Sequence, residues 1–213
     1  MRTLVIETAT TACSVALVEG RHVIARVHDI VGRGHAEQLV PMIATLPGGG
    51  RADAIAVDCG PGSFTGLRVG IAAARGLAFG WGVAAHGYSS LALIAAAGFA
   101  RRRVEGAPVA TLAVAIEGGH GEVFVQTFST ALDPLTPLAS LAPATAIAAL
   151  GGIPVIGNGA ARLLAVDPGF DAADALPDAG DFPLLPLALT LLPPRPIYGR
   201  APDAKLPQPR IGA

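Results

Sequence analysis

Between Ala54 and Gly80 the chain reads AIAVDCGPGSFTGLRVGIAAARGLAFG. A short apolar strand runs into a glycine-rich turn, and the turn opens a long helix made largely of small residues. Gly60 and Gly62 supply backbone angles that residues with a Cβ avoid. Ser63 and Thr65 are both candidate N-caps. Such a loop presents backbone N–H groups beside the positive end of a helix, so Gly60, Gly62, Ser63 and Thr65 form a candidate anion or nucleotide loop. The other reading is a tight, capped strand-to-helix connection. No Gly-Lys-Ser/Thr follows and the glycine spacing is not that of a dinucleotide fingerprint, so neither phosphate motif applies. Along the helix Gly66, Gly70, Ala74 and Ala78 recur every four residues and share one face, with Leu67, Ile71 and Phe79 as apolar bulk. Arg68 and Arg75 are its only charges. This stripe packs either on the protein's own sheet or against a partner.

Charge is scarce in the whole chain. Of 213 residues 52% are apolar and 15% charged, against about 25% charged in an average soluble domain. The net charge of −1 leaves no global field to draw the chain to nucleic acid, and Arg101-Arg102-Arg103 is the only basic run. Two long charge-free stretches, residues 76–100 and 134–161, are interrupted by glycines, prolines and polar residues and do not read as membrane spans. The chain enters a strand from its first residues, so no signal peptide is expected. Cys13 and Cys59 make no CxxC or metal spacing and fall in the predicted strand regions. Buried, reduced thiols and a cytoplasmic location are the expectation.

The element order reads βββαβαβα. Strands are expected over Leu4–Glu7, Ser14–Val18 and His22–His28, and a helix over His35–Leu46 with Leu39, Ile43 and Leu46 on one face and Pro41 kinking it. The strand Ala54–Asp58, the small-residue helix, the strand Val83–His86 and the helix Ser89–Phe99 follow. A second unit begins the same way, with strands Val109–Ile116 and Glu122–Phe128, a helix Ala144–Leu150, a strand Pro154–Ile156 and a helix Ala160–Val166. Residues 167–181 read as a loop, Leu184–Leu192 as an apolar helix, and the last twenty residues as an extended proline-rich tail. This pattern suits mixed sheets flanked by helices in an α/β chain, with units at 1–103 and 104–213 and the second reduced.

Four segments in order, TLVIETATTACSVAL, HAEQLVPMI, GPGSFTGLRVGIAAARGLA and PIYGRAPDAKLP, resemble the TsaB family, the partner subunit in bacterial threonylcarbamoyl-adenosine synthesis on tRNA. The glycine-loop segment is the most specific of them. The resemblance implies an actin-like, sugar-kinase-like ATPase fold of two tandem ribonuclease-H-like lobes. It also implies a non-catalytic scaffold that binds a TsaD-type transferase, is joined by a TsaE-type ATPase, meets tRNA only through the complex, and forms a homodimer when alone. No cofactor is expected to be held firmly by this chain alone, ATP or ADP with Mg²⁺ belonging to the complex. The chain departs from the pattern where relatives carry an Asp-Ala-Arg type segment: here it reads Glu117-Gly118-Gly119-His120, and a tyrosine is replaced by Phe124.

The chemistry agrees with a scaffold. Transferase subunits of this kind hold a metal with two histidines at i and i+4 on one helix, a spacing that aims both rings at one ion. Here the segment is His35-Ala36-Glu37-Gln38-Leu39, and Leu39 cannot ligate, so no metal site is expected. The expected partner interface is His35, Leu39, Ile43 and Leu46 with Gly66, Leu67, Gly70, Ile71, Ala74 and Ala78. The rival reading is an independent actin-like ATPase or kinase acting on a small molecule. It would need Glu7 and Glu117, at the ends of the first strands of the two lobes, to hold Mg²⁺. A peptidase reading finds no His/Asp constellation in sequence around Ser14 or Ser63.

Overall fold

The computed structural model describes residues 1–199; the tail from 200 onward, and what was expected of it, lies outside the described residues. The first lobe is built from β1 (Arg2–Glu7), β2 (Ala12–Glu19), β3 (His22–Ile30), α1 (His35–Thr45), β4 (Ala54–Asp58), α2 (Phe64–Trp81), β5 (Ala84–Tyr88) and α3 (Ser90–Val104). The second contains β6 (Thr111–Glu117), β7 (Val123–Ser129), β8 (Ala139–Leu141), α4 (Pro143–Leu150), β9 (Val155–Ile156), α5 (Ala160–Leu164) and β10 (Ala172–Ala173). The sheets run β3-β2-β1-β4-β5 and β8-β7-β6-β9-β10. Each is an antiparallel meander continued by two parallel strands. The two lobes therefore share one strand order. The second is reduced in strand length, its last three strands having only three, two and two residues, but not in strand number.

Alternation along the strands sorts side chains into layers. Leu4 and Ile6 of β1, with Cys13, Val15 and Leu17 of β2, face α1 and α2. Val5, Ala16 and Val18 face α3 on the other side. In β6 the same alternation sends Leu112, Val114 and Ile116 to α3 and Ala113 and Ala115 to α4 and α5. Helix α3 is thus sandwiched between the sheets, which explains why eight of its residues are buried. Ser89 caps it, and α1 runs continuously through Pro41. Among the described residues no helix is long and apolar enough to cross a membrane.

The expected helix Leu184–Leu192 is absent. Two short 3-10 turns, Ala179–Leu184 and Leu187–Thr190, stand in its place. Leu185, which precedes Pro186, is held in extended backbone (φ −75°, ψ 135°), as residues before proline favour, and this breaks the run. The segment 178–197 also returns to the first lobe. Asp178 pairs with Arg26 at 2.7 Å, Leu192 exchanges backbone hydrogen bonds with Gly87, and Ile197 N–H donates to the Cys59 carbonyl. The short strands β8 and β10 were not foreseen: three residues or fewer carry no readable alternation.

Candidate functional site

Ser63 closes the glycine loop. Its N–H donates to the Ala9 carbonyl at 2.7 Å, and its carbonyl accepts from Leu67. Its Oγ accepts from Gly66 N–H at 3.2 Å, so Ser63 is the N-cap and Thr65 lies inside the helix. Gly60 has φ +88° and is packed under Leu67, while Gly62 lies so close to the Ala9 backbone that a Cβ has no room. The loop is first a tight, capped connection. The N–H groups of Phe64 and Thr65 nevertheless have no acceptor among the described residues, as the open first turn of a helix permits.

Gly62 and Ser63 form part of the wall of a cleft of about 950 Å3 between the lobes, whereas Gly60 and Thr65 do not reach it. Phe64, Arg68, Arg33 and Tyr198 share that wall with Glu117 and Phe124. The Arg68 guanidinium lies over the Phe64 ring, 3.1 Å from its centroid, and donates to the Tyr198 hydroxyl at 3.2 Å. Glu117 is tied to Arg162 at 2.9 Å.

The two carboxylates that a kinase-like site would require are not brought together. Glu117 stands at the cleft, but Glu7 is fully buried and absent from the cleft wall. Glu7 Oε1 accepts from Ala9 N–H at 2.9 Å, and its Oε2 lies 3.2 Å from the Tyr88 hydroxyl. Asp58, also fully buried, accepts from the Thr8 N–H and hydroxyl through Oδ1. Its Oδ2 has no hydrogen-bond partner among the described residues. Burial, reinforced by the nearby Asp58 charge, holds the Glu7 carboxyl well above the usual range, and burial pushes Asp58 up to about 7. This is a core polar cluster, set away from the cleft.

The expected interface residues are likewise internal. His35, Leu39, Ile43, Leu46, Leu67, Ile71, Ala74 and Ala78 are all buried in the chain itself, and so are Gly66 and Gly70. A Cβ on Gly66 would strike the Thr8 carbonyl and one on Gly70 the Thr8 hydroxyl. The small stripe therefore lets α2 settle onto the end of β1, not onto a partner. His35 Nε2 lies 3.1 Å from the Ala12 carbonyl, an inward contact. No three His, Cys, Asp or Glu side chains converge at metal distance among the described residues. What α1 and α2 show outward is a second small and apolar set: Ala36, Val40 and Ala44 on α1, with Ala72, Gly76, Phe79 and Gly80 on α2. Phe79 is 92% exposed and Val40 57%. The same four-residue spacing could have found this row, since it runs two positions after the first. The Phe64–Arg68 pair was also readable as an i, i+4 contact.

The fold does bring a serine, a histidine and an aspartate together, but not as a nucleophilic triad. Asp178 sits in the middle, accepting from Ser14 Oγ at 3.3 Å and lying 3.4 Å from His28 Nδ1. A base must instead stand between the acid and the nucleophile, and Ser14 is fully buried. Cys13 lies in β2 and Cys59 just beyond β4, both buried and free. Burial, with nearby carboxylates adding, pushes the Cys13 thiol up to about 12; burial likewise pushes Cys59 up to about 11. Since the thiolate is the reactive form, Ellman's reagent should label neither in the native protein at pH 8 and both after denaturation. Rapid native labelling would contradict these placements.

A family model described as "TsaD: tRNA N6-adenosine threonylcarbamoyltransferase" matches residues 27–150. The chain is 40% identical over 129 residues to the tRNA threonylcarbamoyladenosine biosynthesis protein TsaB of Escherichia coli, covering 58% of this chain and 53% of that protein. It spans about half the length of the curated relatives it matches. YeaZ from Pseudomonas aeruginosa superposes with a TM-score of 0.70 at 27% identity, covering 92% of this chain and 99% of the other. The ethanolamine utilization protein EutJ from Carboxydothermus hydrogenoformans shares the fold alone, with a TM-score of 0.53 at 11% identity over 91% of this chain and 90% of its own. With one family model spanning more than half of its residues, and with the TsaB and YeaZ likenesses around its two-lobed actin-like fold, the chain belongs to the TsaB/YeaZ family of threonylcarbamoyltransferase-type proteins.

Proposed function

We infer that this chain is a non-catalytic scaffold and dimerisation subunit in the synthesis of N6-threonylcarbamoyladenosine on tRNA. In this reading it binds and activates a TsaD-type transferase in the cytoplasm, with a TsaE-type ATPase joining and tRNA reached through the assembly. The observation that carries it is the outward face of α1 and α2. Val40 and Phe79 stand exposed beside Ala36, Ala44, Ala72, Gly76 and Gly80 on two helices that pack side by side. Small residues allow another helix pair to approach closely, and exposed apolar side chains gain by being covered. The same face closes on a second copy when no partner is present. The buried positions of Glu7 and His35 support a chain that leaves the chemistry to its partner.

The test is co-purification and sedimentation with Gly76→Arg and Phe79→Asp. Both sites are exposed, and a Cβ at Gly76 meets nothing within 4 Å, so both variants should melt like the parent. Each should weaken the homodimer and the transferase complex by about thirtyfold or more, the size of an interface hot spot. The isolated chain should transfer no threonylcarbamoyl group. Unchanged association by both variants, or turnover by the chain alone, would refute the reading.

A further inference from the structure

The exposed side of α1 and α2 carries an excess of positive charge. Arg68 and Arg75 both stand exposed on α2. They lie about two turns, or roughly 10 Å, apart along one side of the helix. Neither has a carboxylate partner among the described residues. What holds them is neutral. Arg75 donates to the Pro194 carbonyl at 2.7 Å. Arg68 donates to the Tyr198 hydroxyl at 3.2 Å and lies over the Phe64 ring. Residues 194–198 thus fix both guanidinium groups against α2 without cancelling their charge, and each group keeps N–H donors to spare. Long side chains already held in place lose less freedom when a partner pairs with them. Arginine is also among the residues that dominate interface energies.

A second copy answers this charge badly. Glu37 is the only acidic residue of either helix. It is exposed on α1, and the position two turns further along that helix is Ala44. Two copies placed face to face therefore bring two arginines for each glutamate, and like charges approach as the apolar rows close. We infer that Arg68 and Arg75 select a different chain over a second copy: a partner helix bearing carboxylates about two turns apart, lying along α2. The inference rests on the scaffold reading and adds the chemistry of the partner to it. Self-association is then the weaker use of the face, because the excess charge opposes it.

Sedimentation measures self-association of the full chain, and titration calorimetry measures its complex with a TsaD-type transferase. Both are run in sodium chloride at about 0.05 M and about 0.5 M, where screening lengths differ severalfold. The higher salt should weaken the mixed complex about tenfold and leave self-association unchanged or tighter. Arg75→Glu should weaken the mixed complex at least about tenfold. It should tighten self-association, because α2 then offers a carboxylate to Arg68 of the second copy. Arg75→Lys should restore the mixed complex to within about threefold of the parent, a rescue that a merely structural contact to Pro194 does not require. Circular dichroism and melting check the fold, and Arg68→Ala, read in the same way, serves if Arg75→Glu loses it. If Phe79→Asp breaks the mixed complex while Arg75→Glu moves both associations alike or neither, the charge selection is overturned and the scaffold reading stands. A mixed complex indifferent to salt also overturns it. If Phe79→Asp and Gly76→Arg disturb neither association, the reading fails and the selection fails with it.

Discussion

Gly66→Ala is expected to destabilise the chain by about 3 kcal/mol or more, a large share of a typical domain's 5–15 kcal/mol or so. The added Cβ would strike the Thr8 carbonyl. That oxygen belongs to backbone held by Thr8 N–H and hydroxyl bonds to Asp58 Oδ1 at 2.9 and 3.1 Å, so it cannot yield as a flexible side chain would. Gly70→Leu should be worse, since its Cβ alone already meets the Thr8 hydroxyl. The control lies on the same helix. At Gly76 and Gly80 a Cβ meets nothing within 4 Å, and Gly→Ala at an exposed helix interior stabilises by about 0.4–1 kcal/mol. Urea unfolding of the four variants should therefore split them in sign. If Gly66→Ala were as stable as the parent, the intramolecular placement of the stripe would be wrong.

Replacing Glu7 should separate a neutral acid from an ion. Tyr88 has one hydroxyl proton and two neighbours for it, the Ile6 carbonyl at 2.9 Å and Glu7 Oε2 at 3.2 Å. The carbonyl cannot donate, so when Tyr88 donates to Ile6 a neutral Glu7, the form that burial favours, can donate to the Tyr88 oxygen. Glu7→Gln reproduces this pattern, its amide donating where the acid did, and should cost about 1 kcal/mol or less. Glu7→Ala leaves a cavity, strips Ala9 N–H of its acceptor, and should cost about 3–4 kcal/mol. The pH dependence follows from the direction of the shifts. Both carboxyl groups are raised above their usual range by burial, so the folded state binds protons that the unfolded state has released. Their contribution is full below the usual carboxylate range and is lost as pH climbs through the raised values, for Asp58 from about 4 to about 7. The slope is at most about 1.4 kcal/mol per pH unit for each proton. Stability should fall from pH 4 to pH 8, and Glu7→Gln should flatten the fall. A parent whose stability rises steadily over that range would show that the pair is ionised.

Most of the order of strands and helices, Ser63 as one of two candidate caps and the four-residue repeat along α2 were present in the sequence, because alternation, capping chemistry and helical spacing are local properties; the expected helix Leu184–Leu192 and the short strands β8 and β10 were the exceptions. Local spacing could not rank the two small rows of α2. One row, Gly66-Gly70-Ala74-Ala78, had to face inward because the Thr8 carbonyl lies beneath it, and that oxygen arrives from a strand more than fifty residues earlier. The same limit hid the burial of Glu7. A carboxylate at the end of a first strand looks like a metal holder until Tyr88 and Asp58, brought in by β5 and β4, close over it. It hid the cleft as well: Arg33, Phe64, Arg68 and Tyr198 are scattered along the chain, and only the return of residues 178–197 to the first lobe sets Tyr198 against Arg68. Sequence determined most of the elements and their order. Which faces were spent inside the chain and which remained for a partner or a ligand was decided by contacts between segments far apart, where one backbone oxygen is enough to choose the side.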